Sequence, residues 1–160
     1  MTTAAELRFR VQAPNSRERA TTVVALDSPS EAFVRRLAQD SWRNATFLKT
    51  PIEDPSGDPL ADDGWVMTID ERRARVRDEV AAADQVILVA AAGGNADDAA
   101  VIGRACSNKR VTTTALIIGA SEASDREISK TLAQLRPWSL MVVIANSDDY
   151  VADMMTALRV

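Results

Sequence analysis

A glycine-containing turn stands where a parallel α/β sheet would hold a ligand. In ADQVILVAAAGGNADDAAVIG (83–103), a hydrophobic strand leads through two glycines into a helix. Gly93 and Gly94 allow close approach to the backbone, and N–H groups at a helix start attract anions. Asp97 and Asp98 follow at once, and at about 4–5 Å a carboxylate and a phosphate repel by roughly 1 kcal/mol in water. The same acids stabilise the first turn of a helix, so a ligand site and a purely structural turn both stay open.

A ligand at this turn would also contact the loop after an earlier strand. TTVVALD (21–27) is predicted to be a buried strand and is followed by SPSE (28–31). In doubly wound sheets, ligands bind at the carboxyl ends of the strands, where the strand order reverses. The candidate ligand residues are therefore Asp27, Ser28, Ser30, Gly93, Gly94, Asn95, Asp97, Asp98 and Asn146, the last from the loop after the final strand.

Acidic residues follow several of the predicted strands, and carboxylate oxygens are ligands that Mg²⁺ accepts. The candidate metal ligands are Asp27, Asp70, Asp98 and Asp148. The alternative is that these acids begin helices and hold no metal. No cofactor is identified by the sequence.

The composition limits the chemistry that the chain can perform. Histidine is absent from all 160 residues, which excludes Ser-His-Asp and Cys-His catalysis within one chain. No catalytic residue is assigned, and the expectation leans against an enzyme. The net charge of −4 and pI of about 4.9 disfavour binding to nucleic acid or to an anionic membrane. A single cysteine and the absence of a signal-peptide core or membrane span predict a cytoplasmic protein.

Hydrophobic strands alternating with amphipathic segments predict a single three-layer α/β domain. We expect a Rossmann-like, doubly wound, mostly parallel sheet of six strands in the order 3-2-1-4-5-6. The predicted strands are 21–27, 45–49, 65–69, 85–90, 113–119 and 140–145. The predicted helices include one capped by Ser28 and running to about Trp42, one over 71–83, one over 95–108, and one beginning at a Ser124–Glu127 capping box.

The chain divides into a short arm and one domain. Residues 1–20 are predicted to be an arm or an edge strand, and residues 21–160 the domain, which contains an acidic Pro/Gly loop at 50–64. The last helix carries an apolar stripe whose complete burial against the sheet is not expected. We therefore expect a homodimer with this helix in or beside the interface; the stripe is Val151, Met154, Met155 and Leu158.

The segment 83–119 resembles the nucleotide-binding domain of the FtsZ/tubulin family. It repeats the family's AD entry to a hydrophobic strand, a glycine-containing turn and a following AAVIG. LAQLRPWSLMVVIANSDD (132–149) is similar to the family's later strand and Asn-Asp loop. The resemblance extends over 71–150 and more loosely over 22–27, and it implies a nucleotide-domain fold. A sheet of the phosphosugar-isomerase type has a similar rhythm of strands and loops.

The chain departs from the family at both ligand loops. The Thr-Gly-Thr-Gly part of the family's turn is replaced by NADD, and the first glycine-rich loop by DSPSE, where Pro29 lacks an N–H. The family's second domain is not expected here. The resulting hypothesis is a non-catalytic FtsZ/tubulin-like module that binds a protein partner or itself. The alternative is a small-molecule or nucleotide-binding protein, perhaps Mg²⁺-dependent, that uses the loops after strands 1 and 4.

Overall fold

The computed structural model describes residues 19–53, 60–158 and 160, without the side chains of Asp148 and Asp149. In this part of the chain there are seven strands and five α-helices. The strands are β1 (Thr21–Ala25), β2 (Ala45–Glu53), β3 (Trp65–Thr68), β4 (Arg73–Arg75), β5 (Gln85–Ala91), β6 (Thr112–Ile118) and β7 (Met141–Ile144). The helices are α1 (Ser28–Leu37), α2 (Val76–Ala81), α3 (Ala99–Lys109), α4 (Asp125–Leu135) and α5 (Asp148–Ala157).

The strands form one mostly parallel sheet in the order β4-β3-β2-β1-β5-β6-β7. The predicted count of six strands is therefore wrong. The observed order also differs from the predicted 3-2-1-4-5-6, although the six predicted strands keep their places relative to one another. The difference comes from β4, an added edge strand that pairs antiparallel with β3. β3 is itself antiparallel to β2. A parallel neighbour needs a long crossover, usually through a helix, and the described residues between β2 and β3 contain no helix.

Helices cover both faces of the sheet and create two cores. On one face, α2, α3 and α4 pack over residues that include Val24, Leu48 and Leu88. On the other face, α1 and α5 pack over residues that include Val23, Ile87 and Leu116. The central strands β1 and β5 are buried on both faces, which explains their continuous apolar sequence. The class is therefore α/β with a Rossmann-like arrangement of layers.

Several predicted element boundaries are wrong, and local hydrogen bonds explain the differences. Residues 71–83 form β4 and then the short α2, because Arg73 and Arg75 pair with β3 before the helix begins. The cap of α1 is Asp27, not Ser28, since Asp27 and Ser30 form the capping box. That helix ends at Leu37 rather than near Trp42. The Ser124–Glu127 capping box of α4 is confirmed.

The apolar stripe of the last helix packs against the sheet. Val151, Met154 and Met155 are buried against the α1 face of the sheet, and Leu158 packs at its margin. The expectation that this stripe is not completely buried is wrong for its two methionines, because α5 packs over the same core as α1. Of the predicted arm, only Arg19 and Ala20 are among the described residues. Residues 54–59 of the acidic loop also lie outside them. Within the described chain, no helix combines the length and apolar character that crossing a membrane requires.

Candidate functional site

A cleft of about 460 Å³ lies at the carboxyl ends of β1, β2 and β5. The first turn of α1, the end of β2 and the turn after β5 form its walls. Five of the predicted ligand residues line it: Asp27, Ser28, Asn95, Asp97 and Asp98. Its other lining residues were not among the predicted ligand residues; they are Leu26, Glu31, Thr50 and Pro51. The site thus lies where the strand order reverses, beside β1 and β5.

Asp27 joins the two loops that border this cleft. Its Oδ1 accepts the N–H of Ser30 at 2.9 Å and thereby caps α1. Its Oδ2 accepts the N–H of Ala91 at 2.9 Å, across to the end of β5. The Ser30 hydroxyl accepts the Asp27 N–H in return and is completely buried. Both carboxylate oxygens are therefore engaged with backbone, and Ser30 is closed to any ligand.

Gly94 is required by the position of Asp27. A Cβ atom at Gly94 would lie 2.1 Å from Asp27 Oδ2, well inside contact distance. Gly93 has φ +83°, a conformation that favours glycine, and it packs against Glu127 of α4. The two glycines therefore make room for protein atoms, the carboxylate of Asp27 and the side chain of Glu127, instead of a ligand.

Two polar side chains of α4 bond to the turn from its other side. The buried Thr131 Oγ1 accepts the N–H of Gly93 at 2.9 Å. Gln134 Oε1 accepts the N–H of Ala96 at 3.1 Å, and its Nε2 donates to Asp97 Oδ1 at 2.7 Å. Since residues three apart share a helix face, this pair holds the whole turn against α4.

The remaining bonds of the turn are local. The N–H of Gly94 donates to the carbonyl of Ala91 at 2.9 Å, and the N–H of Asp97 donates to Asn95 Oδ1 at 3.0 Å. At the start of α3, the N–H of Ala99 donates to the carbonyl of Ala96 at 3.0 Å. A phosphate-binding turn works by leaving such N–H groups free to point at the ligand. Here the protein itself supplies their acceptors.

Asp98 is a partly buried carboxylate of the cleft. Burial raises the pKa of this carboxyl, although hydrogen bonds from the N–H of Ile52 and from Thr50 lower it, and the charge of nearby Asp97 raises it. The Ile52 N–H lies 3.3 Å from Asp98 Oδ2. Asp98 thus ties the turn after β5 to the end of β2, as Asp27 ties it to α1.

Glu31 adds a fourth acid to the cleft wall but is paired with cations. Arg35 lies 2.9 Å and Lys49 3.2 Å from its Oε1. The hydrogen bond from Arg35 is the main reason that the pKa of Glu31 is lowered. Glu31 therefore stays ionised, and the carboxylates of the cleft together oppose an anionic ligand.

The structure does not bring the other predicted residues to this cleft. Asn146 follows β7, which β5 and β6 separate from β1. Asp70 follows β3, which runs antiparallel to β2, so it lies at the end of the sheet where β2 begins and not at the end that holds the cleft. There it lines a separate hollow with Trp42. The side chain of Asp148 lies outside the described residues. Among the described residues, no three acids or other metal-binding side chains are grouped as a metal site would require.

Thr131 and Gln134, which bond to the turn, were not predicted from the sequence. A signal was available, because they are polar residues spaced i, i+3 beside the apolar stripe of α4. A polar pair next to an otherwise apolar face often bonds to backbone that the helix covers.

No protein-family model matches the chain, and no curated protein sequence matches it either.

Proposed function

We propose that the chain is a non-catalytic Rossmann-like module that acts by binding a protein partner and not by processing a nucleotide. One observation carries this proposal: four N–H groups of the turn after β5 already have acceptors within the protein. Those of Gly93 and Ala96 bond to Thr131 and Gln134 of α4, and those of Gly94 and Asp97 bond within the turn itself. A phosphate would have to break these bonds and approach Asp27 and Asp98. The same turn and strands favour a degenerate relative of the FtsZ/tubulin nucleotide domain, and a single buried cysteine fits a cytoplasmic location.

Nucleotide binding and hydrolysis test this proposal together. A fluorescent GTP analogue titrated with up to about 100 μM protein should show no saturable signal. A Kd of about 100 μM corresponds to about −5.5 kcal/mol, so this titration would detect any stronger binding. Thermal unfolding should be unchanged by GTP, ATP or NAD, whereas a ligand at 100 times its Kd adds about 2.7 kcal/mol of stability. Phosphate release should stay at background at every protein concentration. Saturable micromolar binding, or release that rises with the square of protein concentration, would overturn the proposal.

A second candidate function is recognition of a small cationic or uncharged polar molecule in the cleft. Its volume of about 460 Å³ suits a small ligand, and the acids at its wall favour positive charge. Thr50 and Asn95 add neutral hydrogen-bonding groups. This candidate ranks second because Asp27 and Asp98 already bond to backbone N–H groups.

Matched ligands of opposite charge test the second candidate. Thermal unfolding should be measured with putrescine and spermidine, and in parallel with glucose 6-phosphate and inorganic phosphate. Stabilisation by the amines alone, reduced in Asp97→Asn, would support cation recognition in the cleft. Equal small effects of all four compounds would reject it. The Asp97 side chain is the appropriate target because it is exposed and bonds to a side chain, Gln134, and not to backbone.

A further inference from the structure

The outer edge of β7 is the most apolar exposed surface of the described chain. β7 ends the sheet and pairs only with β6 among the described strands. Leu140 is 83% exposed, Met141 43%, Ile144 44%, and Tyr150 in the following helix 55%. Among the described residues, Leu60 is the one other large hydrophobic side chain that is exposed. The exposure is therefore concentrated at one edge.

The opposite edge of the sheet is protected against pairing, and β7 is not. β4 presents the exposed Arg73 and Arg75, whose guanidinium groups stack on Trp65 at 4.3 and 5.2 Å. Arg73 also pairs with Glu53, and Arg75 with Asp63. Such charged edges resist the addition of another strand. Residues 140–145, LMVVIA, contain no charge, proline or glycine.

We propose that a second copy of this chain covers the β7 edge, by antiparallel pairing of the two β7 strands about a two-fold axis. This inference rests on the proposed function, because it names the partner of the module. With Val142 of both copies at the axis, Leu140 lies opposite Ile144 of the partner subunit. Met141 lies opposite Val143 of the partner subunit. The segment is thus self-complementary, since apolar residues of similar size meet at each position.

The exposed area matches what a stable dimer needs. Taking about 200 Å² for a fully exposed large side chain, the four exposed residues offer about 450 Å² of mostly apolar surface per copy. A standard interface buries about 800 Å² per partner, a little over half of it apolar. The β7 edge and Tyr150 therefore supply most of the apolar area, and the remaining area comes from the strand backbone and adjoining polar groups.

The mass of the full chain in solution is the first test. Light scattering at about 50 μM, the range of moderate homodimers, should give twice the chain mass of 17.3 kDa. Leu140→Lys and Ile144→Lys place a charge on side chains that are already exposed, so they should stay folded, as judged by thermal unfolding. Each should weaken the dimer at least tenfold. The matched control is Leu60→Lys, which changes a side chain of 73% exposure elsewhere and should leave the dimer intact.

Cross-linking tests the register. In antiparallel pairs, opposing Cα atoms lie about 4.5–5.5 Å apart, within the span of a disulfide. The double variant Leu140→Cys/Ile144→Cys should form a covalent dimer under mild oxidation. Neither single variant should do so. Its two introduced cysteines, one in each copy, are offset by four residues along the paired strands, which is too far for a disulfide. Cys106 is buried and should not interfere.

Each outcome decides the inference. A wild-type monomer, a dimer unaffected by both lysine variants, or single variants that cross-link as fast as the double variant would overturn it. A wild-type chain that is monomeric and binds no nucleotide would refute only this inference. A chain that binds GTP would refute the proposed function, whatever its mass.

Discussion

Replacing Asp27 with alanine tests whether this carboxylate joins the two loops of the cleft. The change removes the N-cap of α1, which typically costs about 1 kcal/mol. It also leaves the N–H of Ala91 without the acceptor that now lies 2.9 Å away, at a cost of about 1–3 kcal/mol. We therefore expect Asp27→Ala to lower the free energy of unfolding by about 3 kcal/mol.

Ser124→Ala is the matched control, because it removes an N-cap without a bond to another loop. Ser124 Oγ accepts the N–H of Glu127 at 3.2 Å within its own helix. This variant should lose about 1 kcal/mol, so the bridge to Ala91 accounts for the remaining difference of about 2 kcal/mol. Urea unfolding followed by tryptophan fluorescence measures both values. Equal losses in the two variants would refute the inference that Asp27 stabilises the turn after β5.

Three further predictions concern buried or crowded positions. Asp98→Asn should stabilise the protein at pH 7, because burial raises the pKa of Asp98 and the charged carboxylate therefore lowers the free energy of unfolding. The protonated carboxyl carries no such cost, so the gain measured by urea unfolding should vanish below about pH 4, near the ordinary Asp pKa. A gain that is constant with pH would contradict this. Met155→Glu should lower the free energy of unfolding by at least about 3 kcal/mol or prevent folding, because Met155 is buried. The control Thr156→Glu, on the exposed face of α5, should change it by less than about 0.5 kcal/mol. Similar thermal unfolding of both variants would be inconsistent with a buried Met155. Gly94→Ala should be as destabilising as Asp27→Ala, and the double variant should lose much less than the sum, because both changes break the same contact; additive losses in urea would separate the two positions.

Local patterns in the sequence were sufficient for the α/β class and for most strands. β1, β5 and β6 are buried along nearly their whole length and lack the polar alternation of a strand with one exposed face. This pattern is typical of a parallel sheet that helices cover on both faces. β4 could not be predicted in this way. Residues 73–75 read Arg-Ala-Arg and have the composition of an exposed helix, and only pairing with β3 makes them a strand. Tertiary context decides such short segments.

The cleft could be predicted in part from the rule that ligand loops meet where the strand order reverses. That rule brings Asp27, Asn95 and Asp98 together, as the structure has them. It misplaces Asp70, because the direction of β3 depends on a connection without a helix in its described part. It also gives no information about the bonding state of the turn. The acceptors Thr131 and Gln134 come from a helix more than 30 residues further along the chain, at sequence separations of 38.

The backbone amides of Gly93 and Ala96 provide the most direct test of the claim that this turn is closed to phosphate. Their ¹H–¹⁵N signals should be followed while GTP, and separately inorganic phosphate, is added to the wild-type chain up to about 10 mM, a range that would reveal even millimolar binding. Because Thr131 and Gln134 already accept these two N–H groups, neither signal should shift in a saturable way. Saturable shifts of both amides with GTP or phosphate would contradict the account and identify the turn as a working anion site.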